Sequence, residues 1–210
     1  MNHVYEHQKI KEYEKMHTDI MTGLLLNLSD ALFEKDKYTY MHCHRVSLYC
    51  FLTGDRLKLE TERMKSLLIG AFFHDIGKIS IPNRILKKAG RLSPDEWKII
   101  KTHSQASAGL LHALGFTEDT VSAILHHHER YDGTGYPNGL TNGSIPLFAK
   151  IISIADAYDA MTSERCYSGA LKKEEALKEI CLCKGSQFDP DVVDIFVYAT
   201  QIPEKVCQAV

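Results

Sequence analysis

Apolar positions recur with a helical period along nearly the whole chain. Ile20, Leu24, Leu28 and Leu32 repeat every fourth residue, the spacing of one helix face. Residues 41–52 and 61–73 read as two further helices. Ser93-Pro94-Asp95-Glu96 predicts a helix start: serine caps, proline suits the first helical position, and Glu96 stands where a capping box needs it. That helix carries Trp97, Ile99 and Ile100 and is expected to end at His103. Residues 117–128, 146–161, 172–183 and 191–199 complete the helical pattern. Residues 131–145 break it, with four glycines, one proline and two asparagines, too many breakers for a regular element. No run alternates strictly enough to be a strand, and no internal repeat is visible. The pattern predicts an all-α fold. Residues 1–35 would form an N-terminal helical segment, packed on the domain or dimerising, and residues 36–210 the main domain.

Composition narrows the function classes. With 44% hydrophobic residues in 210, the chain can fill a sizeable core. A formal net charge of -2 supplies no global field for a nucleic-acid polymer or an anionic membrane. The basic group Arg84, Lys87, Lys88 and Arg91 is local and reads as solvated surface. No apolar run approaches the roughly 20 residues that span a bilayer, and residues 1–15 are too polar for a secretory signal. A cytoplasmic protein is the expectation. The six cysteines, Cys43, Cys50, Cys166, Cys181, Cys183 and Cys207, form no zinc-type spacing and read as reduced, small apolar fillers.

The eleven histidines change the picture, because several stand beside acidic residues in settings unlike a surface. His74-Asp75 closes the apolar segment Leu67 to Phe73. An imidazole donates one nitrogen to a metal, and a carboxylate can bridge two cations. Gly77 leaves room for a turn, and Lys78 adds a positive charge. A lone His-Asp pair at a helix end is weak evidence. The other members give it weight: His42, His103, the run His126-His127-His128-Glu129, and Asp156 within Ile151-Ile152-Ser153-Ile154-Ala155-Asp156. A carboxylate among such apolar neighbours is costly unless paired or on a metal.

Two motifs, His74-Asp75-Ile76-Gly77-Lys78 and His127-His128-Glu129-Arg130-Tyr131-Asp132-Gly133-Thr134-Gly135-Tyr136-Pro137, resemble those of the HD-GYP domain, a branch of the HD phosphohydrolase superfamily. Ile81-Pro82, Glu96-Trp97, Ile145-Pro146-Leu147, Asp156-Ala157-Tyr158-Asp159 and Gln187-Phe188-Asp189-Pro190 follow in the family's order. The resemblance implies an HD-domain helical bundle with a buried metal centre and an irregular glycine-rich GYP loop. By matching position, His42, His74, Asp75 and Asp156 would hold one divalent metal ion. Asp75 would bridge to a second, held by His103, His127 and His128. His126 would not be a ligand, and His44 and His112 would be ordinary helix residues. Iron is the family's usual metal and manganese the next. Asp75 and Lys78 would be catalytic, with Lys78, Arg165, Gly135, Tyr136 and Pro137 contacting substrate.

The implied activity is a phosphodiesterase that opens the bacterial second messenger cyclic di-GMP to pGpG or on to GMP. The implied partner is a diguanylate cyclase at the GYP loop, although the loop could equally be a structural turn. A homodimer through the first segment is also open.

Three positions depart from the family pattern. Tyr38 stands where some members have a glutamate for a third metal, which favours a two-metal centre. Arg165-Cys166-Tyr167-Ser168 replaces the usual Arg-Pro-Tyr-Arg. The change to Ser168 removes a charge-assisted contact of a kind worth about 1.5–3 kcal/mol. Lys150 keeps the charge of a usual arginine but loses its planar fork. Cyclic GMP-AMP, or binding with little turnover, therefore stay open. Most members carry a receiver or sensor domain. None is read here, so a stand-alone enzyme, or one signalled through a partner on its N-terminal helix, is expected.

Overall fold

The computed structural model describes residues 2–164 and 170–200, with side chains at 15, 16 and from 21 onward. Ten α-helices lie among these residues. They are α1 (Asn2–Lys35), α2 (Lys37–Arg56), α3 (Thr61–Phe73), α4 (Asn83–Leu86), α5 (Pro94–Lys101), α6 (His103–Ala113), α7 (Glu118–His126), α8 (Leu147–Thr162), α9 (Lys173–Leu182) and α10 (Pro190–Thr200). Short 3-10 turns occupy Ile76–Ser80 and Asn142–Ser144. Asp132 and Thr141 form one isolated bridge, Lys184 and Phe188 another, and no strand is present among the described residues. No helix among them is long and apolar enough to cross a membrane.

The chain divides into two compact units, Met1–Tyr40 and Met41–Val210. In the first, burial rises along the expected stripe, from exposed Leu24 through half-buried Leu28 to fully buried Leu32; the Ile20 side chain lies outside the described set. Asp36 separates α1 from α2 and accepts from the Thr39 hydroxyl at 2.7 Å and the Tyr38 N–H at 3.2 Å. Such local side-chain acceptors satisfy the orphan donors of a helix start.

In the second unit, α8 is the central element. Ile151, Ile152, Ile154 and Ala155 are all fully buried, and α8 packs against α3, α7, α9 and α10. Val46, Leu67, Ala123, Ile180, Val193 and Phe196 complete the core around it. The helix over 61–73 falls where periodicity puts it. The Ser93 capping box forms in full, with both reciprocal hydrogen bonds.

One expectation is corrected. His103 does not end the Trp97 helix but opens α6, because α5 closes at Thr102, which stands at the N-cap position of α6. The inner face of α6 is Ser104, Ser107, Ala108 and Leu111. Its period is helical, but small and polar residues fill most of it, which hides it from a hydrophobic scan.

Gly77 shows why α6 needs such residues. A Cβ at Gly77 would lie 2.2 Å from the His103 carbonyl oxygen, and the Gly77 N–H donates to the Ser107 hydroxyl at 2.8 Å. Gly77→Ala is expected to lower stability by about 1–3 kcal/mol or more, the range for overpacking a tight contact. Chemical denaturation measures this, and an unchanged midpoint would contradict the packing described.

Cys43 and Cys50 are buried as fillers, whereas Cys181 is exposed on α9 beside Leu177 and Leu182. Cys166 and Cys207 lie outside the described residues.

Candidate metal centre

Three of the expected ligands share one local device. A helix leaves its last carbonyls without intrahelical partners. His74, at the end of α3, turns Nδ1 to the Ala71 carbonyl at 2.7 Å. His127, at the end of α7, does the same to Ile124 at 2.6 Å. His103 reaches the Ile100 carbonyl in the last turn of α5 at 2.7 Å. A carbonyl only accepts, so each Nδ1 carries the proton and each Nε2 presents its lone pair.

These lone pairs converge. The Nε2 atoms of His103 and His127 are 3.4 Å apart, and those of His128 and His103 are 3.1 Å apart. Asp75 lies beside them, 1% exposed. Its Oδ1 is 3.3 Å from His103 Nε2; its Oδ2 faces His74 Nε2 at 3.5 Å and His42 Nε2 at 3.9 Å. Asp156, from α8, approaches His42 Nε2 at 3.1 Å. Two groups able to hold a metal result, His42-His74-Asp75 and His103-His127-His128.

The residues fit cations. His74 Nε2 and Asp75 Oδ1 are buried with no hydrogen-bond partner. Facing lone pairs on His103 and His127, with no proton between them, repel unless a positive charge sits there. Such orphaned buried atoms call for an explanation, and a cation supplies one.

Protonation follows the same logic. Burial opposes ionisation of Asp75, but Lys78 and the histidines around it outweigh burial and hold its carboxyl well below the usual range. Burial lowers His74, His103 and His127, and takes His128 down to about 4. Neutral imidazoles and an ionised carboxylate are the forms that bind metal. His42 differs: burial lowers it, but hydrogen bonds to Asp156 and Asp159 prevail and push it up to about 9.

Two supporting residues went unassigned in the sequence. Asp159, fully buried, accepts from His42 Nδ1 at 2.7 Å and from Arg45 Nε at 2.6 Å and Nη2 at 3.0 Å. Carboxylates in this position orient a ligating imidazole. Glu129 straps the glycine-rich loop, accepting from the Asn138 and Leu140 N–H groups at 2.7 and 3.0 Å. Both residues stand inside quoted motifs, which was the available signal. His126 turns to the loop instead: Nδ1 donates to the Ser122 carbonyl at 2.9 Å, and the Asn138 amide lies 3.1 Å from Nε2.

Among the expected substrate contacts, Lys78 is on Asp75 Oδ2 at 2.5 Å. The Tyr136 ring lies 4.7 Å from that of His128. Gly133 takes φ 78, but Gly135 answers a need for space: a Cβ there would lie 2.4 Å from the Arg130 nitrogen. Pro137 follows Tyr136 across a cis peptide bond. Arg165 and Ser168 lie outside the described residues. Lys150 is 2.7 Å from Asp189, whose other oxygen accepts from Asp191 and Val192 at the start of α10.

A family model described as an HD domain matches residues 27–192. The cyclic di-GMP phosphodiesterase response regulator RpfG of Xanthomonas campestris is 36% identical over 185 residues, covering 87% of this chain and 49% of that protein. The cyclic di-GMP phosphodiesterase PA4108 of Pseudomonas aeruginosa is 38% identical over 168 residues, covering 80% and 40%. A crystal structure of a cyclic GMP-AMP specific phosphodiesterase of Vibrio cholerae superposes with a TM-score of 0.66 at 22% identity, covering 86% of this chain and 49% of that one. The chain belongs to the HD domain family, in its HD-GYP branch. It spans about half the length, or less, of these relatives.

Proposed function

We propose that this chain is a metal-dependent phosphodiesterase that opens cyclic di-GMP to pGpG. The observation that carries this reading is Asp75, whose two carboxylate oxygens face different histidine groups. In this reading His42, His74, Asp75 and Asp156 hold one divalent ion, and Asp75, His103, His127 and His128 the other. Iron is the first expectation and manganese the second, both compatible with mixed imidazole and carboxylate donors.

When bound, such a pair of ions activates a water molecule and neutralises charge on a phosphodiester. The chain's own residues do the rest. Asp159 and the three backbone carbonyls aim the imidazoles. Lys78, with a quarter of its side chain exposed, steadies Asp75 and presents its charge to the phosphate. Gly135, Tyr136 and Pro137 wall the site, and Arg165 would add a cationic contact.

A second reading, cyclic GMP-AMP as substrate, draws support from a 3'3'-cGAMP-specific phosphodiesterase of V. cholerae that is 32% identical to this chain over 178 residues. The test is anaerobically prepared protein loaded with iron or manganese and given each dinucleotide, with products resolved by chromatography. Linear pGpG is expected. Tight binding without product under either metal would overturn the enzyme in favour of a binding protein, and faster cleavage of cyclic GMP-AMP would move the substrate to the second reading. In the same assay His103→Ala should lose turnover and bound metal, while His126→Ala retains both; the opposite pattern would reject this ligand set.

A further inference from the structure

The cations around the centre and its loop are nearly all committed. Lys78 is on Asp75, Arg45 on Asp159, Arg130 on Asp132, and Lys150 on Asp189. Lys101 is the exception among the described residues of this region. It is half-buried at the end of α5, two residues before His103. Among the described residues no carboxylate forms an ion pair with its ammonium, which lies 4.8 Å from the centroid of the Tyr136 ring. Tyr136 in turn is tilted by 32° against His128, with centroids 4.7 Å apart. Tyr136 therefore lies against both an imidazole of the three-histidine group and the Lys101 ammonium.

An aromatic face attracts a cation but leaves its hydrogen-bonding capacity unused. Three N–H donors held at a fixed place, one ring outside the proposed metal ligands, form a ready contact for an anion. It would not be the phosphate being cleaved, which belongs at the histidines and Asp75. A cyclic dinucleotide carries a second phosphate in the same ring, one nucleoside away from the first.

We propose that Lys101, held by the face of Tyr136, binds the phosphate of a cyclic dinucleotide that is not being cleaved. The assignment rests on the phosphodiesterase reading above and deepens it. It gives the site a reason to prefer a two-phosphate ring over a simple diester. It also gives Tyr136 a double task, steadying both the His128 ring and the Lys101 ammonium.

The test compares cyclic di-GMP with bis(p-nitrophenyl) phosphate, a diester with a single phosphate, in wild-type protein and in Lys101→Met and Lys101→Arg. Methionine keeps an unbranched stem of similar length and removes the charge; arginine restores the charge. In Lys101→Met the ratio of kcat/KM for cyclic di-GMP to that for the simple diester is expected to fall by about 10- to 100-fold, the range for losing one charge-assisted hydrogen bond. The fall should come mainly through KM, with metal content unchanged. Lys101→Arg should recover most of the ratio. Equal losses on both substrates, or loss of metal, would overturn the assignment and make Lys101 a support for His128. An unchanged ratio would overturn it too. Wild-type protein that cleaves the simple diester but neither binds nor cleaves cyclic di-GMP would instead refute the proposed substrate, and this assignment with it.

Discussion

Asp75→Ala should leave the chain with fewer than two bound metal ions and lower turnover by at least the ~10²–10³-fold that one lost electrostatic contact to a transition state costs. Asp75 is the only described residue whose two oxygens face the two histidine groups separately. The substitution also takes from the Lys78 ammonium its hydrogen-bonded carboxylate partner. Metal content after dialysis and product formation from cyclic di-GMP measure the two effects. Two ions retained per chain, with turnover unchanged, would remove Asp75 from the centre.

Asp159→Ala should be the next most damaging change, although Asp159 faces neither histidine group's open nitrogens. It would release His42 Nδ1 and leave the Arg45 guanidinium without its bidentate carboxylate. Losing the partner that orients a ligating histidine typically costs 10- to 100-fold in metal affinity, and that range is expected here. Arg45 is about one-third exposed, so solvent softens the loss of its ion pair. Competition with a chelator of known affinity measures the first effect, and thermal unfolding of the metal-free protein the second. Metal affinity equal to wild type would mean that α2 alone fixes the His42 ring.

Much of this was readable before any coordinates. Periodicity placed the helix over 61–73, and turn chemistry placed the Ser93 capping box. The seven candidate ligands stood out by residue type and motif order. What escaped depends on long-range geometry or on space. Asp159 meets His42 across 117 positions of sequence, so its motif marked the residue but not its partner. Lys150 looked like a weakened substrate contact, yet its charge is on Asp189 at the start of α10. Gly135 was expected only as a substrate contact, yet a glycine is needed there because backbone lies where a side chain would be. And α6 was missed because serine and alanine fill most of its inner face.

The anchoring of His74, His103 and His127 to helix-end carbonyls has a consequence for selectivity. Each ring loses its rotational freedom when the helix end that carries its carbonyl forms, so the entropy of ordering these side chains is charged to folding rather than to binding. A cage set in advance adapts little to its occupant. Ions would then be sorted by how well they suit a fixed aperture of nitrogen and oxygen donors, and an ion of the wrong size would gain little from a wall that does not yield.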